Sequence, residues 1–455
     1  MTVHPSTSRR STLGRILASG ALALVLATSA VAVATPASAA SPAPSLPQVS
    51  AAQAGANWLA SQITSGGYIA STTTPGTANL DATANAVFAL ATAGVDTAQA
   101  TSALEYLEAH VDDYVTVSSA DGPGQLALLI LDSQALGVPP TSFGGTDLVT
   151  RLLATQRTSG TDTGLFGTQD PTYDGAYRQG LSLAALAAAG VTSGAAVTSA
   201  ESWLTAQQCP DGGWTSYVNP SNPCTGKPAD YEGPDTNSTA LAVQGLEAQR
   251  ALSATAAQSA TKFLTKAEDA DGGWGYEPNT VKTRGSTDPD STALVLQALV
   301  SLGALPSSKN FTKGHHTPVA TLESFQIASG EGAGALVYPG VSGPNLLATY
   351  QAVPALAGVT VAENLGSPAV TAVSPKHGPT AGGTTVHLKG TGLLEAEAVT
   401  FGSTPATSFT ITSSTAITAV APAGAAGAAG TVDVRVTTPT GTSPVAAGDE
   451  YTYKA

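Results

Sequence analysis

The sequence predicts an all-α toroid of six helix-hairpin repeats over residues 50–360, followed by an all-β domain over residues 368–455. Three observations predict it. Asp-Gly-Gly-Trp occurs twice, at Asp211-Gly212-Gly213-Trp214 and Asp271-Gly272-Gly273-Trp274, each time between two apolar helical patterns. From Ser50 to Gly358 two kinds of helical segment alternate, and beyond a linker at Ala362–Pro368 the composition turns to Thr, Val and Gly. An internal repeat of this kind governs every other fold assignment.

The first segment lies outside both parts. Arg9, Arg10 and Arg15 precede an apolar run from Ile16 to Val33, and Ala37-Ser38-Ala39 supplies the small residues that a signal peptidase reads. Residues 1–39 are therefore expected to be an export signal, by the general or the twin-arginine route, the latter suggested by Ser8-Arg9-Arg10. Removing them takes away three arginines and no acid, so the net charge of −14 becomes −17. An acidic chain argues against nucleic acid or anionic lipid as a partner. No later stretch reaches the roughly 20 apolar residues of a membrane span. The expected location is secreted or at the cell surface.

The outer segments carry apolar residues at three- and four-residue spacing: Ala51–Gln62, Ala98–His110, Asp147–Gln156, Ala196–Gln208, Ala257–Ala267 and Val319–Ala328. The inner segments, Ala82–Ala93, Gly124–Leu136, Ala176–Ala189, Ser238–Ala248, Ser291–Leu302 and Asn345–Ala357, are apolar on nearly every side, as buried helices are. Six of each in strict alternation fit a closed double ring, with an open solenoid of hairpins as the alternative. Alanine-rich runs such as Leu183–Ala189 let inner helices approach closely.

Each outer segment but the second ends in a copy of one turn. The copies begin at Gln62, Gln156, Gln208, Glu268 and Gln326, and that at Gln208 continues Cys209-Pro210-Asp211-Gly212-Gly213-Trp214. Paired glycines permit the positive φ of a reversing helix end, the Trp buries a large face, and Asp211 and Asp271 can accept backbone N–H groups. The motif reads as a structural staple. The two cysteines, Cys209 and Cys224, share one loop, and in an exported protein they are expected to form a disulfide. Closing a loop of about 15 residues contributes roughly 3 kcal/mol.

Gln-x-x-Asp-Gly-Gly-Trp followed by Asp-x-x-x-Thr-Ala-Leu resembles the repeat of the prenyltransferase and squalene (terpene) cyclase superfamily, whose fold is an α6/α6 toroid. That fold serves cyclases, prenyltransferase subunits, cobalamin carriers and thioester domains, so the resemblance implies architecture more than activity. Ser374–Val386, Gly390-Thr391-Gly392-Leu393 and Val399-Thr400-Phe401-Gly402 resemble an IPT/TIG domain, an immunoglobulin-like β-sandwich. Such domains act as spacers or binding modules, which implies a possible cell-surface partner.

Carboxylates stand where the turns meet the inner segments: Asp81, Asp174, Asp235, Asp288 and Asp290, with helix capping as their ordinary role. Asp288-Pro289-Asp290-Ser291-Thr292-Ala293 is similar to the acid motif of class II terpene cyclases, and the resemblance would make Asp290 the proton donor. Ser291 replaces that motif's last Asp. Such a cyclase needs an aromatic-lined cavity, and only 5% of the residues are aromatic. Tyr173, Asp174, Tyr177 and Arg178 gather polar chemistry at one inner segment. With Asp235, Asp288 and Asp290 they are the candidate ligand-binding residues, and Asp290, Asp288 and Asp174 the candidate catalytic ones. A zinc set is not expected, because the two cysteines lack a neighbouring His. His315-His316 reads as a solvated loop. The expectation is an exported toroid that binds a small molecule, isoprenoid-like or glycan, without catalysis. The alternative is a terpene cyclase or carbohydrate-active enzyme working through mouth carboxylates such as Asp290, a pair of carboxylates being what glycoside hydrolysis uses. The cofactor is left unknown by the sequence.

Overall fold

Regular apolar spacing becomes helix wherever the sequence carries it. The computed structural model describes residues 50–454 except 118, 168–174, 217–223, 225–232, 279–286, 305–308, 363–367, 394–395, 397, 414–415, 425–426 and 439–440. The outer helices are α1 (Ala51–Gln62), α3 (Thr97–Ala109), α6 (Leu148–Ala154), α8 (Ala195–Ala206), α10 (Ala254–Ala267) and α12 (Pro318–Ser324). The inner ones are α2 (Leu80–Ala93), α5 (Pro123–Ala135), α7 (Ala176–Ala188), α9 (Thr236–Ala248), α11 (Pro289–Ser301) and α13 (Leu346–Leu356). A short helix α4 (Val111–Val115) and a two-stranded ribbon, β1 (Thr116–Val117) with β2 (Ala120–Asp121), replace the glycine turn after α3. The sequence reading did not contain them. Two outer helices are shorter than expected: Asp147 caps α6, and α12 stops at Ser324.

The inner helices form a closed ring. Each packs on the next, from α2 through α5, α7, α9 and α11 to α13, and α13 returns to both α1 and α2. That closure excludes the open solenoid. Leu59, Leu90, Leu126, Leu183, Leu246 and Leu299 belong to one continuous buried cluster between the two layers.

The staples hold the layers in register. At Trp214 and Trp274 the indole Nε1 donates to the carbonyl of the preceding outer helix, Leu204 and Leu264, each at 2.8 Å. Asp211 and Asp271 accept the N–H of Gly213 and Gly273. Gly212 sits at φ +99, where a Cβ would fall 2.2 Å from the Ser259 carbonyl oxygen. The threonine one turn into the following inner helix accepts the N–H of the turn's large apolar residue. This happens at Thr83, Thr239, Thr292 and Thr349, for Ile69, Trp214, Trp274 and Leu336. Gln179 does the same for Phe166.

The glutamines join neighbouring hairpins. Gln156 Nε2 donates to Gly164 and Ala196 carbonyls, Gln208 Nε2 to Gly212 and Ala256, and Gln326 Nε2 to Gly334 and Ala51. The last of these closes the ring. At the fifth joint Glu268 stands in the glutamine's place and pairs with Lys313 Nζ at 3.2 Å. The Cys209–Cys224 disulfide is formed, with its Cα atoms 5.5 Å apart.

The C-terminal strands are β3 (Ala369–Ser374), β4 (His377–Pro379), β5 (Thr385–Thr391), β6 (Ala398–Phe401), β7 (Thr404–Pro405), β8 (Ser408–Ser413), β9 (Ala416–Val420), β10 (Gly430–Thr438), β11 (Gly441–Thr442) and β12 (Glu450–Lys454). They make two sheets, β3-β5-β9-β8 and β4-β12-β10-β6-β7, with β11 on β10. Alternation turns Val386, Leu388 and Ile417 of one sheet and Phe401, Val434 and Tyr451 of the other into a shared core. This is the expected β-sandwich. Among the described residues no helix is long and apolar enough to cross a membrane.

Candidate functional site

A ring of six helices leaves a lumen, and here it is a cavity of about 270 Å³ lined from every inner helix. Each helix offers one stripe at three- and four-residue spacing, as a single helix face must. On α2 the stripe is Asp81, Asn85 and Phe88, on α5 Gly124, Leu128 and Leu131, and on α7 Tyr177 and Leu181. Leu241 of α9, Leu294 and Gln297 of α11, Leu347, Tyr350, Gln351 and Pro354 of α13, and Tyr114, Gln125, Arg178 and Val361 complete the wall. The stripes are polar near the helix N-termini and mainly apolar below.

The floor is closed by the chain leaving α13. Gln297 Nε2 donates to the Val359 carbonyl at 2.9 Å, and the Val361 N–H donates to Gln244 Oε1 at 3.0 Å. Val361 itself lines the cavity. The strap of residues 358–362 is thus held by two buried glutamines, one from α9 and one from α11.

At the mouth, Tyr114 of α4 reaches across to α2 and donates to Asp81 Oδ1 at 3.4 Å. Burial raises the Asp81 carboxyl above its ordinary range, and the Tyr114 hydroxyl partly offsets this. Burial also raises Tyr114 far above the usual phenol range and pushes Tyr177 up to about 12, helped by the charges of Asp81, Asp290 and Asp235. Tyr350 is raised in the same way, by burial and then by Asp81, Tyr177 and Asp290.

The structure separates the sequence's carboxylates into two roles. Asp235 and Asp288 are true N-caps, accepting the N–H of Ser238 and Ser291 at 2.7 Å. Asp81 and Asp290 do not precede their helices as the sequence suggests: they sit inside the first turns of α2 and α11, where Asn79 and Asp288 hold the cap positions. The reason is register, since Asn79 and Asp288 stand four residues before Thr83 and Thr292, which bind the turns. Asp290 is 8% exposed and its Oδ1 has no hydrogen-bond partner. Burial, then the charge of Asp288, lifts its carboxyl to about 7. Asp235 is wholly buried, with Oδ2 unpartnered, and is lifted to about 6 by burial against hydrogen bonds from Ser238, Ser216 and Tyr276.

Of the other candidates, Tyr177 and Arg178 line the lumen, and Tyr173 and Asp174 lie outside the described residues. Asp235, Asp288 and Asp290 do not line the lumen, although the charges of Asp290 and Asp235 act on Tyr177, which does. Among the described residues no group of three His, Cys, Asp or Glu could hold a metal ion, and His315 and His316 are exposed in a turn. Tyr350 and Asp132 were missed by sequence reasoning. Asp132 is buried within α5, both its oxygens are unpartnered, and burial holds it protonated well above the carboxylate range. A charged residue inside an otherwise apolar helix was the available signal.

Residues 144–287 match the family profile of the squalene-hopene cyclase C-terminal domain, and residues 368–453 match the IPT/TIG domain. No curated protein matches the sequence. Among solved structures the chain is similar to protein geranylgeranyltransferase-I of Candida albicans in complex with GGPP, at 11% identity over 61% of this chain and 83% of that one, TM-score 0.44. It is also similar to the apo type II terpene cyclase MstE of Scytonema, at 16% identity over 67% and 96%, TM-score 0.46. A third is a protein from Actinoplanes, at 16% identity over 68% and 98%, TM-score 0.43. So distant a likeness carries neither activity nor substrate across.

Proposed function

We propose that this chain is an exported, extracytoplasmic protein whose toroid lumen binds a small, mainly apolar ligand without transforming it. The observation that carries the reading is the lumen itself: open above, closed below by the 358–362 strap, and walled by Phe88, Leu128, Leu181, Leu241 and Leu294. Its volume of about 270 Å³ lies just under the roughly 300–1,000 Å³ of small-molecule pockets. A lumen of this size suits a short isoprenoid alcohol. Leucine walls favour an isoprenoid-like ligand over a glycan, whose hydroxyls would each need a partner. The basic, apolar and small-residue succession in residues 1–39 and the disulfide support export. The β-sandwich is assigned the role of spacer or contact to a cell-surface partner.

Titration calorimetry with geraniol and with cellobiose tests this. Geraniol is expected to bind saturably at one site and cellobiose not to bind. Leu181→Trp, which fills the lumen, is expected to abolish binding with the circular dichroism spectrum retained. Geraniol binding that survives the filled lumen would overturn the assignment.

One observation favours a second reading, in which Asp290 acts as a general acid. Its carboxyl, lifted to about 7, holds a proton near neutrality. Product formed from isoprenoid substrates by the wild type and lost in Asp290→Asn would establish catalysis and remove the first reading. Asp290 is not among the residues that line the lumen, and this favours binding.

A further inference from the structure

The lumen begins and ends at fixed levels of the ring. Its lining starts at the second residue of α2, α5, α7 and α13, which are Asp81, Gly124, Tyr177 and Leu347. It stops at the ninth residue of α2, α5, α11 and α13, which are Phe88, Leu131, Gln297 and Pro354. A helix rises about 1.5 Å per residue, which makes the lumen ~10 Å deep. The strap of residues 358–362 is tied to that same ninth-residue level at three points. The Val359 N–H donates to the Pro354 carbonyl at 3.0 Å, and the Val359 carbonyl accepts from Gln297 Nε2 at 2.9 Å. The Val361 N–H donates at 3.0 Å to Gln244 Oε1, the ninth residue of α9. Gln244 and Gln297 are 1% and 3% exposed, and breaking a hydrogen bond to a group buried this deeply costs its desolvation. Val361 is the side chain that the strap sends into the lining.

The two ends of the lumen differ in chemistry. Asp81 and Arg178, the charged residues of the lining, belong to the first turns of α2 and α7. The far level presents Phe88, Leu131, Pro354 and Val361, and the Gln297 amide there is engaged by the Val359 carbonyl. A molecule with a polar head and an apolar chain therefore enters with its head at the mouth, where water and charged groups remain. Its chain gains by burial against the floor.

We infer that Val361 sets the length of apolar chain that the lumen accepts. This rests on the lumen-binding reading above and adds the residue that determines specificity within it. Each methylene taken out of water tightens binding about fourfold, until the end of the chain meets Val361. One methylene more must stay in the mouth or press on a strap held at three points, and it adds nothing. Length is thus decided by a residue outside the six repeats, and it can change while the ring stays the same.

Titration calorimetry on the intact protein, with the straight-chain alcohols from 1-pentanol to 1-decanol, tests the inference. In the wild type the affinity is expected to climb about fourfold per carbon and then to level off within the series. Val361→Ala is expected to move that break at least one carbon longer, and Val361→Phe at least one carbon shorter. Both variants are expected to bind 1-pentanol as the wild type does, and a damaged fold would not shift the break in opposite directions. If the series shows no break, or the break stays at the same alcohol in both variants, Val361 does not set the length and the lumen reading stands. If neither the alcohols nor geraniol bind, the lumen reading falls with it.

Discussion

Asp290 shows how a single side chain ties the fold to the mouth. Its carboxyl is lifted from 3.8 to about 7, first by burial and then by Asp288, whereas in the unfolded chain it returns to roughly 3.9. Between these values the folded protein keeps a proton that the unfolded chain has lost. Stability from this group is therefore full below about pH 4 and declines as pH rises through 7, by at most about 1.4 kcal/mol per pH unit. Asp290→Asn removes the penalty. The variant is expected to gain about 3–4 kcal/mol on the wild type between pH 4 and pH 7.5, measured by urea denaturation at both values. A difference that does not change with pH would refute the perturbed carboxyl. The sequence made Asp290 visible through its resemblance to an acid motif, but its neighbours were hidden. Tyr177, Tyr338 and Tyr350 face it from separate segments, and only the closed ring brings them together.

Helices fit against one another in ways that spacing predicts in kind and only the structure locates. The apolar pattern marked α7 and α9 as buried because both are surrounded by the ring and the outer layer. It did not mark how near they come. A Cβ on Gly180 would lie 2.2 Å from the Leu241 carbonyl oxygen, and one on Gly245 would lie 2.2 Å from the Gly180 oxygen, so the pair packs backbone to backbone. Neither atom can yield without moving a helix. Gly180→Ala is expected to cost about 3 kcal/mol or more, read as a fall in the thermal midpoint. Gly190→Ala, at φ +77 with open space around it, is expected to cost only about 1–2 kcal/mol from the left-handed backbone. Equal losses would mean that α7 and α9 can separate cheaply. The same limit explains why the lumen was not legible. Each inner helix contributes one stripe of a few residues, and the floor comes from the strap at 358–362, beyond the last predicted helix.

At the scale of the whole molecule, the joint between the sixth and first hairpins differs from every other. Gln326 Nε2 reaches the Ala51 carbonyl at 2.8 Å, and a Cβ on Gly334 would meet the Ala54 oxygen at 2.3 Å. This joint has the geometry of the Gln156 and Gln208 joints, but the chain does not run across it. When an interior joint is broken, the covalent chain still holds its two hairpins together. When this one is broken, only packing keeps α13 on α1, and the ring can open like a solenoid whose end repeats fray. Gln326→Ala and Gln156→Ala remove the same two hydrogen bonds, each change costing about 1–3 kcal/mol, so their global stabilities are expected to fall alike. Their hydrogen-exchange patterns should differ. Gln326→Ala is expected to speed exchange in both α1 and α13, which lie at opposite ends of the helical sequence, while Gln156→Ala should affect α6 and α8 and leave α1 protected. If α1 already exchanges as a frayed end in the wild type, or Gln326→Ala is felt in α12 alone, the ring does not act as a closed unit in solution.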